Sequence, residues 1–289
     1  MTIVASILLP THVVQVSDRM LTWQVGNKVV RQEDKWNKAT VFGDRASIAY
    51  TGVARLPDQR TDQWITETLM NETDVGMAMT TLAAAADERL RLGQFKPAGL
   101  TVVFAGWSER ASNETWPAVG LITNTMTQQG TATQPRSKFD VFSLEYHDPN
   151  VLEIHTAGQV LPASSKRTLS RGIKNLVTKG KSPAAVARLT ITKINEMKNP
   201  YIGRSFLAVV LPRPVAGRPF TGLVGAVQSG PHPNAPCSYF FPTPKAEPTY
   251  VMPNITGGGT AFTDISVIPR ALTAEEVKAR FEAGRPKPS

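Results

Sequence analysis

The chain reads as an α+β protein, on three observations. Apolar, β-branched runs alternate with helix-patterned segments in the order strands, two helices, strands, two helices, strand. At 289 residues and 41% hydrophobic, the chain has material for one large core. The composition then changes at Pro214, from which on lie 12 of the 22 prolines and the run Gly257-Gly258-Gly259. We therefore expect a compact domain over residues 1–213 and a Pro/Gly-rich C-terminal arm over 214–289.

Ile3 to Leu9 is β-branched and continuously apolar, Pro10-Thr11 marks a turn, and His12 to Ser17 forms the second arm of a hairpin buried on both faces. Somewhere in Trp23 to Lys35 lies a short insertion relative to the family that the chain resembles, described below. Ala39 to Gly43 and Ala46 to Thr51 form another hairpin, with Gly43-Asp44-Arg45 at its turn and Gly52 at its end. Leu56 to Asn71 has helical spacing in Leu56, Trp64, Ile65, Thr68 and Leu69, with Pro57 suited to a first turn. A second helix runs from about Thr73 to Leu92 and stops at Gly93. Gly99 to Gly106, Trp116 to Thr123, Phe139 to Tyr146 and Val151 to Thr156 follow as strands. Leu161 to Thr178 and Ser182 to Lys198 are the second helix pair, the latter with Ser182 as N-cap and Pro183 at the first position. Ser205 to Leu211 closes the series as a strand. In the arm, Tyr239 to Phe241 and Tyr250 to Met252 are apolar enough to dock on a neighbour or on the chain's own domain. Phe262 to Ile268 reads as a strand and Leu272 to Ala283 as an amphipathic helix. The segment from Ala271 to Glu276 looks like the closing segment of laminin-G-like jelly rolls.

The richest stretch for chemistry is Met1 to Gly52. Thr2 places a hydroxyl directly after the initiator Met1, Asp18 ends an apolar strand, and Lys38 opens the strand pair that ends at Gly52. With Met1 removed, the α-amine of Thr2 can act as the base for its own hydroxyl. A lysine beside it lowers the amine's pKa, and a carboxylate keeps that lysine charged and in place. Lys35 competes with Lys38 for the lysine role, and it is the resemblance described next that implies Lys38, whose distance to Gly52 matches the family.

In these residues the chain resembles the β-type subunits of the proteasome and their bacterial HslV-type relative, within the N-terminal-nucleophile (Ntn) hydrolases. The resemblance spans roughly Thr2 to Pro212. It implies a four-layer αββα sandwich, with Thr2 as nucleophile, Asp18 and Lys38 supporting it, and the Gly52 N–H stabilising the oxyanion. It also implies a substrate pocket of Leu21, Trp36, Tyr50 and Ala54 that favours apolar side chains, a peptide or other amide substrate, and a ring or stack of identical subunits. The sequence departs from the family in two places. Ala157 stands where active proteasome subunits carry a serine before the glycine corresponding to Gly158. Asn199-Pro200-Tyr201-Ile202-Gly203 stands in place of an Asp-x-x-Ser-Gly pattern. Core packing accounts equally for the four pocket residues.

Other classes are narrowed by composition. No apolar run is long enough to span a bilayer, and no charged-then-apolar leader precedes Thr2, so a cytoplasmic protein without a membrane partner is expected. The single Cys237 excludes an intramolecular disulfide and a cysteine metal cluster. His12, His147, His155 and His232 share no ligand spacing; neither a metal nor a cofactor is expected. The sequons at Asn71, Asn113 and Asn254 carry no meaning in a cytoplasm. A net charge of +9 permits nonspecific contact with nucleic acid or anionic surfaces, and its densest patch, Lys166 to Lys181, also reads as a solvated helix face. Three functions follow: a threonine-type amidohydrolase, a proteasome-like scaffold without turnover, and a basic binding protein with no specific nucleic acid.

Overall fold

A computed structural model of the chain describes residues 2–25, 28–34, 36–95, 99–109, 114–128, 132–214, 236–251 and 254–262. Within them the protein is a mixed α+β fold with two large sheets and four helices. The expected strand at Phe262 to Ile268, except for Phe262, and the helix at Leu272 to Ala283 lie outside the described residues, as do Lys35, Asn113 and His232.

The first sheet has six strands in the order β10 (Glu153–Gly158), β1 (Ile3–Leu8), β2 (His12–Asp18), β11 (Phe206–Pro212), β12 (Cys237–Phe241), β13 (Thr249–Val251). All its pairings are antiparallel. The second has seven: β15 (Thr260–Phe262), β14 (Asn254–Gly257), β5 (Ala39–Phe42), β6 (Ala46–Gly52), β7 (Leu100–Glu109), β8 (Thr115–Thr123), β9 (Asp140–Glu145). Here only β14 and β5 run parallel. A separate two-stranded ribbon, β3 (Met20–Val25) and β4 (Lys28–Asp34), occupies most of the expected insertion.

The continuous apolar runs of β1 and β2 are explained by burial on both faces. One face, with Ile3, Ala5, Val14 and Val16, packs with Leu169, Ile173, Val186 and Ile191 from α3 (Ala163–Thr178) and α4 (Pro183–Asn195). The other face, with Val4, Leu8 and Val13, meets Val41, Ala49, Val103 and Val119 of the seven-stranded sheet. The far side of that sheet, with Ile48, Tyr50, Val102 and Phe104, packs on Trp64, Ile65, Leu82 and Ala86 from α1 (Thr61–Thr68) and α2 (Val75–Arg91). Buried Gln15 joins the sheets through polar contacts. Its Nε2 donates to Ser6 Oγ and to the Val103 carbonyl, both at 3.2 Å, and its Oε1 accepts from Ser47 Oγ at 2.6 Å. A buried amide is tolerable only when so satisfied.

Two differences from the sequence reading have local causes. The first helix begins at Thr61, not Leu56: Leu56 N–H donates to the Gln59 carbonyl at 2.8 Å, and Arg55 and Arg60 form an antiparallel bridge that holds Pro57 in a loop. The Thr61 hydroxyl then donates to the Val53 carbonyl at 2.8 Å. The second is that strand pairing does not end at β11. Tyr239 to Phe241 lies in β12 and Tyr250 in β13, extending one sheet, while Asn254 to Gly257 extends the other. The described part of the 214–289 segment thus completes both sheets. Helix α2 has the cleaner ends: Asp74 Oδ1 accepts from Met77 N–H at 2.8 Å, and Gly93 follows with φ +76°. No helix among the described residues is long and apolar enough to cross a membrane.

Candidate functional site

The site forms where four chain segments meet. Thr2 enters β1, Asp18 ends β2, Lys38 precedes β5, and Gly158 ends β10. Antiparallel pairing of β1 with β2 carries Asp18, sixteen residues on, back to the Thr2 end, because Val4 stands opposite Ser17. Pairing of β1 with β10 brings Gly158 opposite Ile3. Lys38 then reaches in from the facing sheet.

Lys38 Nζ donates to Thr2 Oγ1 at 2.7 Å, to Asp18 Oδ1 at 3.5 Å and to the Met20 carbonyl. Three acceptors match the three N–H groups of an ammonium. Asp18 is fully buried and Lys38 is 1% exposed, so the pair lies out of bulk water, where its attraction is strong and unpartnered charge is costly. Asp18 accepts two further bonds, from Ile3 N–H at 3.2 Å and from Gly203 N–H at 3.0 Å. Burial pushes its carboxyl pKa above the ordinary value, while the Lys38 charge and the N–H groups of Gly203, Ile3 and Met20 act to hold it down.

The backbone of Thr2 is also fixed. Its carbonyl accepts from Gln159 N–H at 3.0 Å and from the Thr51 hydroxyl at 3.4 Å. Gly158 has φ +78°, and a Cβ there would sit 2.0 Å from the Thr2 carbonyl oxygen. We expect Gly158→Ala to cost at least about 1–2 kcal/mol from the left-handed backbone alone. It will also push Thr2 off Lys38, which a thermal melt and an activity assay together will register.

Behind this, the Asn199 amide donates to Gln159 Oε1 at 3.1 Å and its Oδ1 accepts from Tyr201 N–H at 2.9 Å. The loop 199–203 therefore touches the site twice, through Asn199 to Gln159 and through Gly203 to Asp18. The roles of Gln159, Thr51 and Gly203 escaped the sequence reading. A glycine ending a strand and another closing an Asn-Pro turn were the available signals, and neither says what its neighbours touch.

Gly52 stands at the exposed end of β6 with φ +105°; a Cβ would meet the Gly99 carbonyl oxygen at 2.4 Å. Only glycine fits that approach. Leu21, Tyr50 and Ala54 are buried in the apolar cluster beneath α1 and α2, and Trp36 packs against its edge. The structure thus gathers all four expected pocket residues in one place, as close-packed side chains. Trp36 Nε1 donates to Glu33 Oε2 at 3.2 Å, and the Arg60 guanidinium lies 5.6 Å from the centre of a Trp36 ring. A cavity of about 550 Å³ opens elsewhere, between the start of α2 and strands β7 to β9, lined by Arg45, Thr73, Phe104, Gly106, Gly120 and Glu145. Thr2, Asp18, Lys38 and Gly52 do not line it. Among the described residues no group of three His, Cys, Asp or Glu side chains is gathered to hold a metal ion.

A scan against family models and a search of curated proteins each find no match for the chain.

Proposed function

We propose that the protein is an Ntn hydrolase of the proteasome β-type and HslV-like kind, built as a four-layer αββα sandwich, in which Thr2 cleaves peptide or other amide bonds. The observation that carries this reading is the buried contact of Lys38 Nζ with Thr2 Oγ1 at 2.7 Å, backed by Asp18 at 3.5 Å. An ammonium donating to a hydroxyl oxygen stabilises developing alkoxide charge, and burial strengthens that effect. With the Met1–Thr2 bond cleaved, the freed amine takes the Oγ1 proton as Oγ1 attacks the scissile carbonyl. The carbonyl oxygen then gains negative charge, for which the Gly52 N–H is the proposed donor. Collapse expels the amine half of the substrate with that proton, and water hydrolyses the resulting ester on Thr2. Asp18 acts through Lys38, as a positioning residue. Leu21, Trp36, Tyr50 and Ala54 line the proposed subsite, which asks for a rearrangement of the Trp36 edge to admit a side chain. Assembly into a homo-oligomeric ring or stack and a cytoplasmic location belong to the same proposal.

The substitutions at Ala157 and Asn199 favour a second reading, a scaffold of the same fold without turnover. Intact mass spectrometry with a threonine-directed epoxyketone separates the two. A protein lacking Met1 that gains one adduct, lost in Thr2→Ala, is the expected result. Met1 retained, or Met1 removed without an adduct, would leave the scaffold reading.

A further inference from the structure

The positive charge of this protein is concentrated in one place. Between Glu153 and Glu196 the chain has no acidic residue and eight basic ones: Lys166, Arg167, Arg171, Lys174, Lys179, Lys181, Arg188 and Lys193. The net charge of the whole chain is +9. Two of the eight are neutralised, Arg188 by Glu247 at 2.6 Å and Lys193 by Glu196 at 2.8 Å. The other six lie on α3 and the turn after it, all exposed, and among the described residues no carboxylate comes within salt-bridge distance of any of them. Elsewhere on the surface, exposed or half-exposed arginines such as Arg31, Arg60, Arg91 and Arg136 each have an acidic partner.

The shape of this patch matters as much as its sign. Only Leu169 and Ile173 of the sixteen α3 residues are buried. The helix therefore stands proud of the six-stranded sheet as a ridge about 24 Å long. At 100° per residue, Lys166, Lys174, Arg167 and Arg171 fall within an arc of about 140° along one flank of the helix, next to the buried stripe of Leu169 and Ile173, and all four are exposed. A ridge carrying only like charge repels a second copy of itself. A protein partner would want apolar or aromatic anchors at its centre, and lysine is depleted in such interfaces. No aromatic residue lies between Gln159 and Pro200. The exposed large apolar side chains beside the patch are Val160 and Val177, without the Trp, Phe or Leu that insert beside lysines at a membrane surface. A rod of phosphates needs none of these and is satisfied by spaced cations alone.

We infer that the exposed basic flank of α3, with Lys179 and Lys181 beyond its end, binds the phosphate backbone of duplex nucleic acid, independently of base sequence. Without stacking side chains or a groove-reading loop at this face, contacts go to phosphate and carry no sequence information. The inference does not depend on the hydrolase reading. With about five phosphates engaged, the logarithm of the binding constant falls against the logarithm of salt concentration with a slope near −4.5, a loss of roughly 10²–10³-fold between 50 and 200 mM salt.

The test is fluorescence anisotropy of the full chain with a labelled, mixed-sequence 20-base-pair DNA duplex across that salt range. The variants are Lys166→Glu/Lys174→Glu and, as a control before β9 of the seven-stranded sheet, Lys138→Glu. All positions are largely solvent-facing, and melting curves confirm folding. Micromolar binding at 50 mM salt with the stated slope is expected, weakened at least tenfold in the α3 double variant and less than twofold in the control. No binding at 50 mM salt overturns the inference, as does binding that the α3 variant leaves unchanged. Sequence-dependent affinity, or retention on phosphatidylserine vesicles at salt concentrations where DNA is released, overturns it in favour of another ligand.

Discussion

Thr2→Ala will lose hydrolysis of amide substrates by at least about 10³-fold, while Thr2→Ser retains a measurable rate, because serine keeps both the hydroxyl and the amine that activates it. The structural cost of Thr2→Ala will be small. Thr2 is 7% exposed, and its loss removes one acceptor from Lys38, which keeps Asp18 and the Met20 carbonyl. Single-turnover kinetics on short fluorogenic peptides, with melting temperatures on the same samples, separate the two effects. Equal activity in wild type and Thr2→Ala would end the nucleophile assignment. Loss of activity in proportion to loss of folding would remove its support. A serine variant as dead as the alanine one would say that the Thr2 methyl group sets the geometry, which its seat beside Gly158 and Thr51 makes a reasonable place to look.

The sequence was most legible where one periodicity ruled a segment. β1, β2, β5 to β8 and β11 are apolar on both faces or cleanly bounded by turns, and their positions could be read directly. The contact of Thr2, Asp18 and Lys38 was expected from the spacing of the family that the chain resembles; the fold brings the three together because each falls at the end or start of such a strand. What was not legible depends on pairing rather than pattern. β12 to β15 are three to five residues long and separated by prolines or glycines, so no window shows a period; they add to the edges of sheets that the earlier strands form. The β3–β4 ribbon pairs only with itself, outside both large sheets, so no neighbouring strand accounts for its pattern. Gln159 joins the site through its backbone N–H, which every non-proline residue has. Asn199 was visible as a departure from a motif, yet its bond to Gln159 follows from the loop conformation. The basic run from Lys166 to Lys181 was visible as charge. That these charges have no carboxylate partner among the described residues is a fact of the fold, and the nearest acids in sequence, Glu153 and Glu196, lie beyond the helix ends.

Lys38→Met will destabilise the fold by about 3–5 kcal/mol at pH 7–8, and acid will restore much of that loss. Methionine keeps the length and most of the volume of the lysine stem, so little of the effect is cavity formation. What remains is Asp18, fully buried, with Ile3 N–H and Gly203 N–H but without its cation. Burial already pushes its carboxyl pKa above the ordinary value, and Lys38 is the first of the groups pulling the other way. Removing Lys38 raises the pKa further. The folded state then binds a proton that the unfolded state releases at ordinary carboxylate pH, so stability is greatest below the unfolded value and falls as pH rises through the folded one. The same window acts with opposite sign on catalysis, because a protonated Asp18 cannot hold an ammonium in place. Wild-type activity should therefore rise through a pH at which Asp18's own contribution to stability falls. Denaturant unfolding of wild type and Lys38→Met at pH 5 and pH 8 measures the first effect, and kcat/KM of wild type across the same range measures the second. A destabilisation of Lys38→Met that is the same at both pH values would mean that lost packing, and not a stranded carboxylate, is what the substitution exposes.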